Sequence, residues 1–139
     1  MSIVRKALLG ATASAALLAG LAAPAAAESR APEAPSGEGW VLVTKSGDFT
    51  AQGSWSRSTS YGSSAGTIST TAASGWVKDT AADGYCAQVV IEWWGTNGKY
   101  DADYSGQACP QGDVDNFSKA PGDSSHWTAT SYAVWMRRV

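Results

Sequence analysis

YCAQVVIEWWGTNGKYDADYSGQAC, residues Tyr85 to Cys109, decides the fold. Asn97-Gly98 is a strong hairpin signal, because a type I′ turn needs φ > 0 at both central residues and these two tolerate it. Folding the chain about that turn sets Thr96 opposite Lys99. Counting outward one for one brings Cys86 opposite Cys109, the chain's only two cysteines. This register predicts two faces. One collects Tyr85, Ala87, Val89, Ile91 and Trp93 with Tyr100, Ala102, Tyr104 and Ala108; the other collects Gln88, Val90, Glu92 and Trp94 with Asp101, Asp103, Ser105 and Gln107. Turn, alternation and cysteine pair agree on one hairpin.

One detail strains this register. Counting in twos from the turn makes Cys86/Cys109 a hydrogen-bonded pair, where the side chains sit farther apart than a disulfide prefers. The same register sets Glu92 against Asp103 as like charges. A bulge near Gly95 or Gly106 relieves both problems, and one is expected there.

Upstream, residues 1–27 read as a secretory signal peptide. Arg5 and Lys6 give a positive start, Ala7 to Leu21 an apolar run too short for a membrane span, and Ala25-Ala26-Ala27 a small-residue cleavage site. No cysteine follows the run at a lipidation position, so no membrane anchor is expected after cleavage. The protein is read as secreted and extracellular. In an oxidising compartment the two cysteines form a disulfide, contributing about 3 kcal/mol by restricting the unfolded chain. Residues 28–39 (ESRAPEAPSGEG) are rich in Pro, Glu and Gly and read as a disordered tail.

The single domain then spans 40–139. Past the leader there is one leucine, Leu42, and two isoleucines, Ile68 and Ile91, whereas all seven tryptophans are present. Such a chain lacks the Leu, Met and Ala periodicity of long helices; Val, Tyr, Trp and Thr segments between Gly, Asn and Ser read as strands. Besides the hairpin, strands are expected at Trp40–Lys45, Phe49–Arg57, Gly66–Thr71 (an edge candidate), Gly75–Asp79 and Val114–Ser118. Ser58–Ser64 reads as a polar loop. His126–Val139 is long enough for two strands or one bent strand, and its apolar residues on both faces suit a central position. The spacing predicts an all-β fold, a small antiparallel β-sandwich of seven or eight strands with one disulfide, with a small β-barrel as the alternative.

Losing Arg5 and Lys6 from the 10 basic residues leaves 8 against 12 acidic ones, a net charge of −4. No basic cluster exceeds Arg137-Arg138, which argues against nucleic acid and anionic membranes as partners. His126 is the only histidine and reads as structural beside Trp127. A glycosidase-type carboxylate pair could be drawn from Glu92, Asp101 and Asp103, but so short a chain leaves little room for a deep cleft. Asp101, Asp103, Ser105 and Gly106 match positions 1, 3, 5 and 6 of a calcium loop, whose closing glutamate is here Gly112. The segment reads instead as a solvated strand, and no metal or cofactor is expected. The chain is read as a non-catalytic monomer. Its best candidate site is Trp94 with Glu92, Asp101 and Asp103, a platform for a sugar ring or a partner's cationic side chain.

Asp79-Thr-Ala-Ala-Asp83-Gly84-Tyr-Cys86-Ala-Gln-Val89 resembles a run in small, exported, mostly uncharacterised β proteins of actinobacteria, as does the Ala-rich leader; the resemblance brings no activity with it. Trp76, followed ten residues later by Cys86-Ala-Gln-Val, is similar to the inhibitory loop and following strand of tendamistat-type α-amylase inhibitors. That likeness implies a six-stranded secreted sandwich with Trp76 as an inhibitory residue. It departs where Val77-Lys78 replaces the family's Arg-Tyr, and in having one disulfide instead of two. The leading expectation is a secreted protein that binds an extracellular glycan or protein. An inhibitor of a secreted hydrolase and a surface-associated structural protein are the alternatives.

Overall fold

The computed structural model describes residues 34–35, 39–46 and 52–139. The expected leader, the expected tail apart from Ala34, Pro35 and Gly39, and the expected strand start at Phe49–Ala51 lie outside the described residues.

Eight strands follow one another: β1 (Val41–Lys45), β2 (Gly53–Ser58), β3 (Gly62–Ile68), β4 (Ala73–Asp79), β5 (Ala87–Gly95), β6 (Tyr100–Tyr104), β7 (Val114–Lys119) and β8 (Ala129–Arg138). They form two antiparallel four-stranded sheets, ordered β1-β8-β5-β6 and β2-β3-β4-β7. The sheets are not closed into a barrel. Among the described residues there is no α-helix, and no helix is long and apolar enough to cross a membrane.

The core lies between the sheets, because alternate residues of each strand point to one side. Val89, Ile91 and Trp93 of β5 with Tyr132, Val134 and Met136 of β8 meet Trp55, Ile68, Val77 and Phe117 of the second sheet. Trp93 is wholly buried, and Trp55 stacks nearly parallel to Phe117 with centroids 6.2 Å apart. Where β3 and β4 pass over Trp55 they pair Gly66 with Gly75. A Cβ at either position would run into the Trp55 ring.

The hairpin register differs from the one-for-one count. Asn97 (φ 59°) and Gly98 (φ 72°) form the expected turn. The Gly95 N–H, however, donates to the Lys99 carbonyl at 2.8 Å, so that Gly95 and Thr96 share one partner. This bulge shifts the pairing so that Glu92 lies opposite Ala102, Ile91 opposite Asp103 and Trp93 opposite Asp101. A second irregularity at Gly106–Gln107 restores the count, since Ser105 bonds to Val89 while Ala108 exchanges two hydrogen bonds with Ala87 (3.0 and 2.9 Å). Ala87/Ala108 is thus the hydrogen-bonded pair and Cys86/Cys109 the close one. The disulfide is present, spanning a Cα–Cα distance of 4.7 Å, which suits an oxidising, extracellular environment.

Other expectations need correction. Ser58–Ser64 is a tight β-turn at Thr59–Gly62 with its flanks already paired, Ser58 opposite Ser63. The Thr-rich strand begins at Gly62, ends at Ile68 and lies inside its sheet instead of at an edge. His126 and Trp127 belong to the loop before β8, which is a single central strand between β1 and β5.

Candidate ligand-binding face

β5 and β8 are the middle strands of their sheet and are buried on both sides. Their outward residues Val90, Ala133 and Trp135 form a second apolar cluster, against which Trp40, Leu42, Trp94 and Ala102 pack. No strand of the other sheet reaches this side. Among the described residues, the large side chains that pack on Val90 and Ala133 are those of Trp40, Leu42, Trp94 and Trp135.

Glu92 organises this face. It is only 3 % exposed, and among the described residues no cation pairs with it. One carboxylate oxygen accepts the Tyr100 hydroxyl at 2.6 Å and the other the Trp135 indole N–H at 2.8 Å. Hydrogen bonds to a carboxylate are the stronger kind, and two of them offset part of the cost of burying the group. Tyr100 has 53 % of its surface exposed while its hydroxyl is turned down onto Glu92. Burial of that hydroxyl, then the carboxylate beside it, pushes its pKa well above the ordinary tyrosine value of 10.0. The phenol therefore stays a donor across the physiological range.

Two aromatic pairs stand on this frame. Trp94, half-buried, meets its cross-strand partner Tyr100 with centroids 5.8 Å apart and planes at 47°. Trp40, the residue before β1, reaches Tyr104 on β6 at 6.2 Å and 52°. Tyr100 and Tyr104 are four residues apart on β6, roughly 13 Å along the strand. Beside Trp40, the Arg137 guanidinium lies 4.4 Å from the indole centroid and donates to the Gln88 side-chain oxygen at 3.1 and 3.3 Å. Gln88 donates in turn to the Ser105 carbonyl. The face is thus an aromatic surface with polar groups held in fixed positions beneath and beside it.

Of the residues singled out from sequence, Trp94 and Glu92 lie here, but Asp101 and Asp103 do not. The Gly95 bulge turns both to the inward side of β6, beyond the edge of the core. Asp101 accepts the Gly122 N–H at 2.6 Å and so ties β6 to the loop before β8. Asp103 has its carboxyl pKa raised, by burial first and then by Asp101, against the opposing pull of Lys119. The three carboxylates considered for hydrolysis therefore do not share a face. Among the described residues no group of three His, Cys, Asp or Glu side chains could hold a metal ion. The residues that reasoning from sequence missed are Trp40, Tyr100, Tyr104, Trp135 and Arg137. The bulge expected near Gly95 or Gly106 carried the signal for both tyrosines, since moving β6 by one position places them on the face of Trp94, with Tyr100 opposite Trp94 and Tyr104 opposite Val90.

Trp76 lies in the middle of β4, opposite Ala65 and Asn116, on the outward side of the other sheet. The turn between β4 and β5 is tied down by the Asp79 carboxylate accepting the Ala81 N–H at 2.9 Å and by an Arg138–Asp83 ion pair at 3.1 Å.

No family model matches the chain, and neither a curated protein nor a solved structure is significantly similar to it.

Proposed function

We propose that this protein is a secreted, non-catalytic monomer that binds an extended extracellular glycan across the Trp40–Trp94–Tyr100–Tyr104 face. The observation that carries the reading is the pair of aromatic contacts set roughly 13 Å apart on the outward side of the β1-β8-β5-β6 sheet. Aromatic rings offer a sugar's apolar C–H face a matching surface. Here each ring is fixed by its neighbours, so little conformational entropy remains to be lost on binding. Glu92 acts as an anchor that positions Tyr100 and Trp135. Both its oxygens already accept a hydrogen bond, which argues for binding over acid–base work.

The test is co-sedimentation of the purified protein with insoluble starch, cellulose, chitin and peptidoglycan, beside Trp94→Ala and Tyr104→Ala. Retention of the parent and loss in both folded variants is expected. Equal retention of all three proteins rules this face out.

A protein partner is the second reading. Trp, Tyr and Arg are the residues enriched at protein interfaces and their energetic centres, and Trp40 with Arg137 and Tyr104 has that composition. Binding to secreted amylases, with no retention on any polymer, would favour it and the inhibitor alternative.

A further inference from the structure

The outward side of the second sheet differs in chemistry from the aromatic face. Its four strands align residues across the sheet in rows. Ser54, Thr67, Ser74 and Ser118 pair in register from β2 to β7, all exposed, with the Thr67 and Ser74 hydroxyls 3.5 Å apart. The next row holds Ser56, Ala65, Trp76 and Asn116, so Trp76, the one aromatic side chain on this side among the described residues, has small neighbours in its own row. Trp76 is half-buried, and among the described residues no strand lies above it. Below, the Gly66/Gly75 pair rests on Trp55, which stiffens the sheet under this site.

Charge decides what such a surface can accept. The chain has 12 acidic residues, yet the outward positions of these rows hold no carboxylate and a single cation, Lys78, in the row beyond Trp76. Charged residues make up 16% of the chain, and of the twelve outward positions in the three rows one is charged. A polyanion or polycation finds no complementary field here. A protein partner would find only one of the aromatic or arginine anchors that concentrate binding energy. An uncharged polymer with flat rings and many hydroxyls fits both features: its ring face stacks on Trp76, and its hydroxyls exchange hydrogen bonds with a row spaced at the strand interval of roughly 4.8 Å.

We propose that this face is a second carbohydrate-binding surface, which takes the flat side of a neutral polysaccharide with Trp76 as platform and the Ser54–Thr67–Ser74–Ser118 row as hydrogen-bonding partner. It lies on the opposite side of the molecule from Trp94 and stands whether or not the aromatic face binds.

The experiment measures depletion of the purified protein onto cellulose, chitin and starch granules at low and high salt. Parent, Trp76→Ala, Thr67→Glu and Trp94→Ala are compared, each confirmed as folded by circular dichroism. Binding that is insensitive to salt and falls about fivefold or more in both Trp76→Ala and Thr67→Glu is the expected result, because one variant removes the platform and the other puts a charge into the neutral row. Three results overturn the proposal: no polymer retains the parent; Trp94→Ala alone loses binding; or the parent sediments as a dimer that Trp76→Ala dissolves, which would assign this face to a second copy of the chain.

Discussion

At the scale of single residues, the outer cluster depends on Glu92. Replacing it by alanine leaves the Trp135 indole N–H buried without a partner and opens a cavity over Ala133. Glu92→Ala is expected to cost about 2–4 kcal/mol in urea unfolding, and Glu92→Gln much less, because an amide oxygen still accepts one of the two donors. Asp103 behaves in the opposite sense. Its folded-state pKa is raised above the ordinary 3.8, so folding favours its protonated form; that contribution is complete below the unfolded pKa and disappears as pH rises through the folded value. At neutral pH the charged carboxylate is therefore a burden. Asp103→Asn should raise the thermal midpoint at pH 7, with the advantage shrinking as the pH is lowered toward about 4. An unchanged midpoint at pH 7 would contradict this account of Asp103.

At the scale of elements, the β5–β6 hairpin and its disulfide form one unit. The bridge closes a separation of 23 residues that contains the turn, both bulges and the strand supplying Tyr100 and Tyr104. Cys86→Ser with Cys109→Ser should lower stability by about 3 kcal/mol, read as a shift in urea midpoint that matches reduction of the parent. In the other sheet, Gly66→Ala drives a methyl group into Trp55 and the Ser74 carbonyl, with an expected cost of about 1–3 kcal/mol. The strands, the turn and the cysteine pair could be read locally, since alternation and φ > 0 preferences are properties of neighbouring residues. The need for a bulge near Gly95 or Gly106 could also be read, from the parity of the cysteine pair and the facing Glu92 and Asp103; which residues of β6 it would bring to the outer face could not. The bulge at Gly95 sits where the Trp127 ring presses on the backbone, so that a Cβ there would overlap the indole. Trp127 comes from a loop about 30 residues further along the chain, and no local pattern records that meeting. One displaced position then moved Asp101 and Asp103 off the candidate face and brought Tyr100 and Tyr104 onto it.

At the scale of the whole molecule, the sheet holding the aromatic face is assembled from the two ends of the domain. β1 and β5 are not paired with each other; each pairs with β8. Neither the core nor the outer cluster can close until that strand is in place, since Tyr132, Val134 and Met136 fill one and Ala133 and Trp135 the other. A chain cut after Thr128 should show no cooperative unfolding. In the intact protein, tryptophan fluorescence and far-ultraviolet circular dichroism should report one coincident transition, with folding on the millisecond-to-second scale of non-local β topologies. Separate transitions from the two probes would mean that the outer cluster melts on its own.

The antiparallel pairing of β1 with β8 also gives the aromatic face a direction. Trp40 lies at the rim where Val139 is hydrogen-bonded to Cys86 at 2.8 and 2.9 Å, whereas Trp94 and Tyr100 stand at the far rim beside the hairpin turn. A tether fused at either end of the domain therefore leaves from the Trp40 side. An immobilised molecule would hold its Trp94–Tyr100 rim outward, and a bulky fusion should hinder the Trp40–Tyr104 pair first.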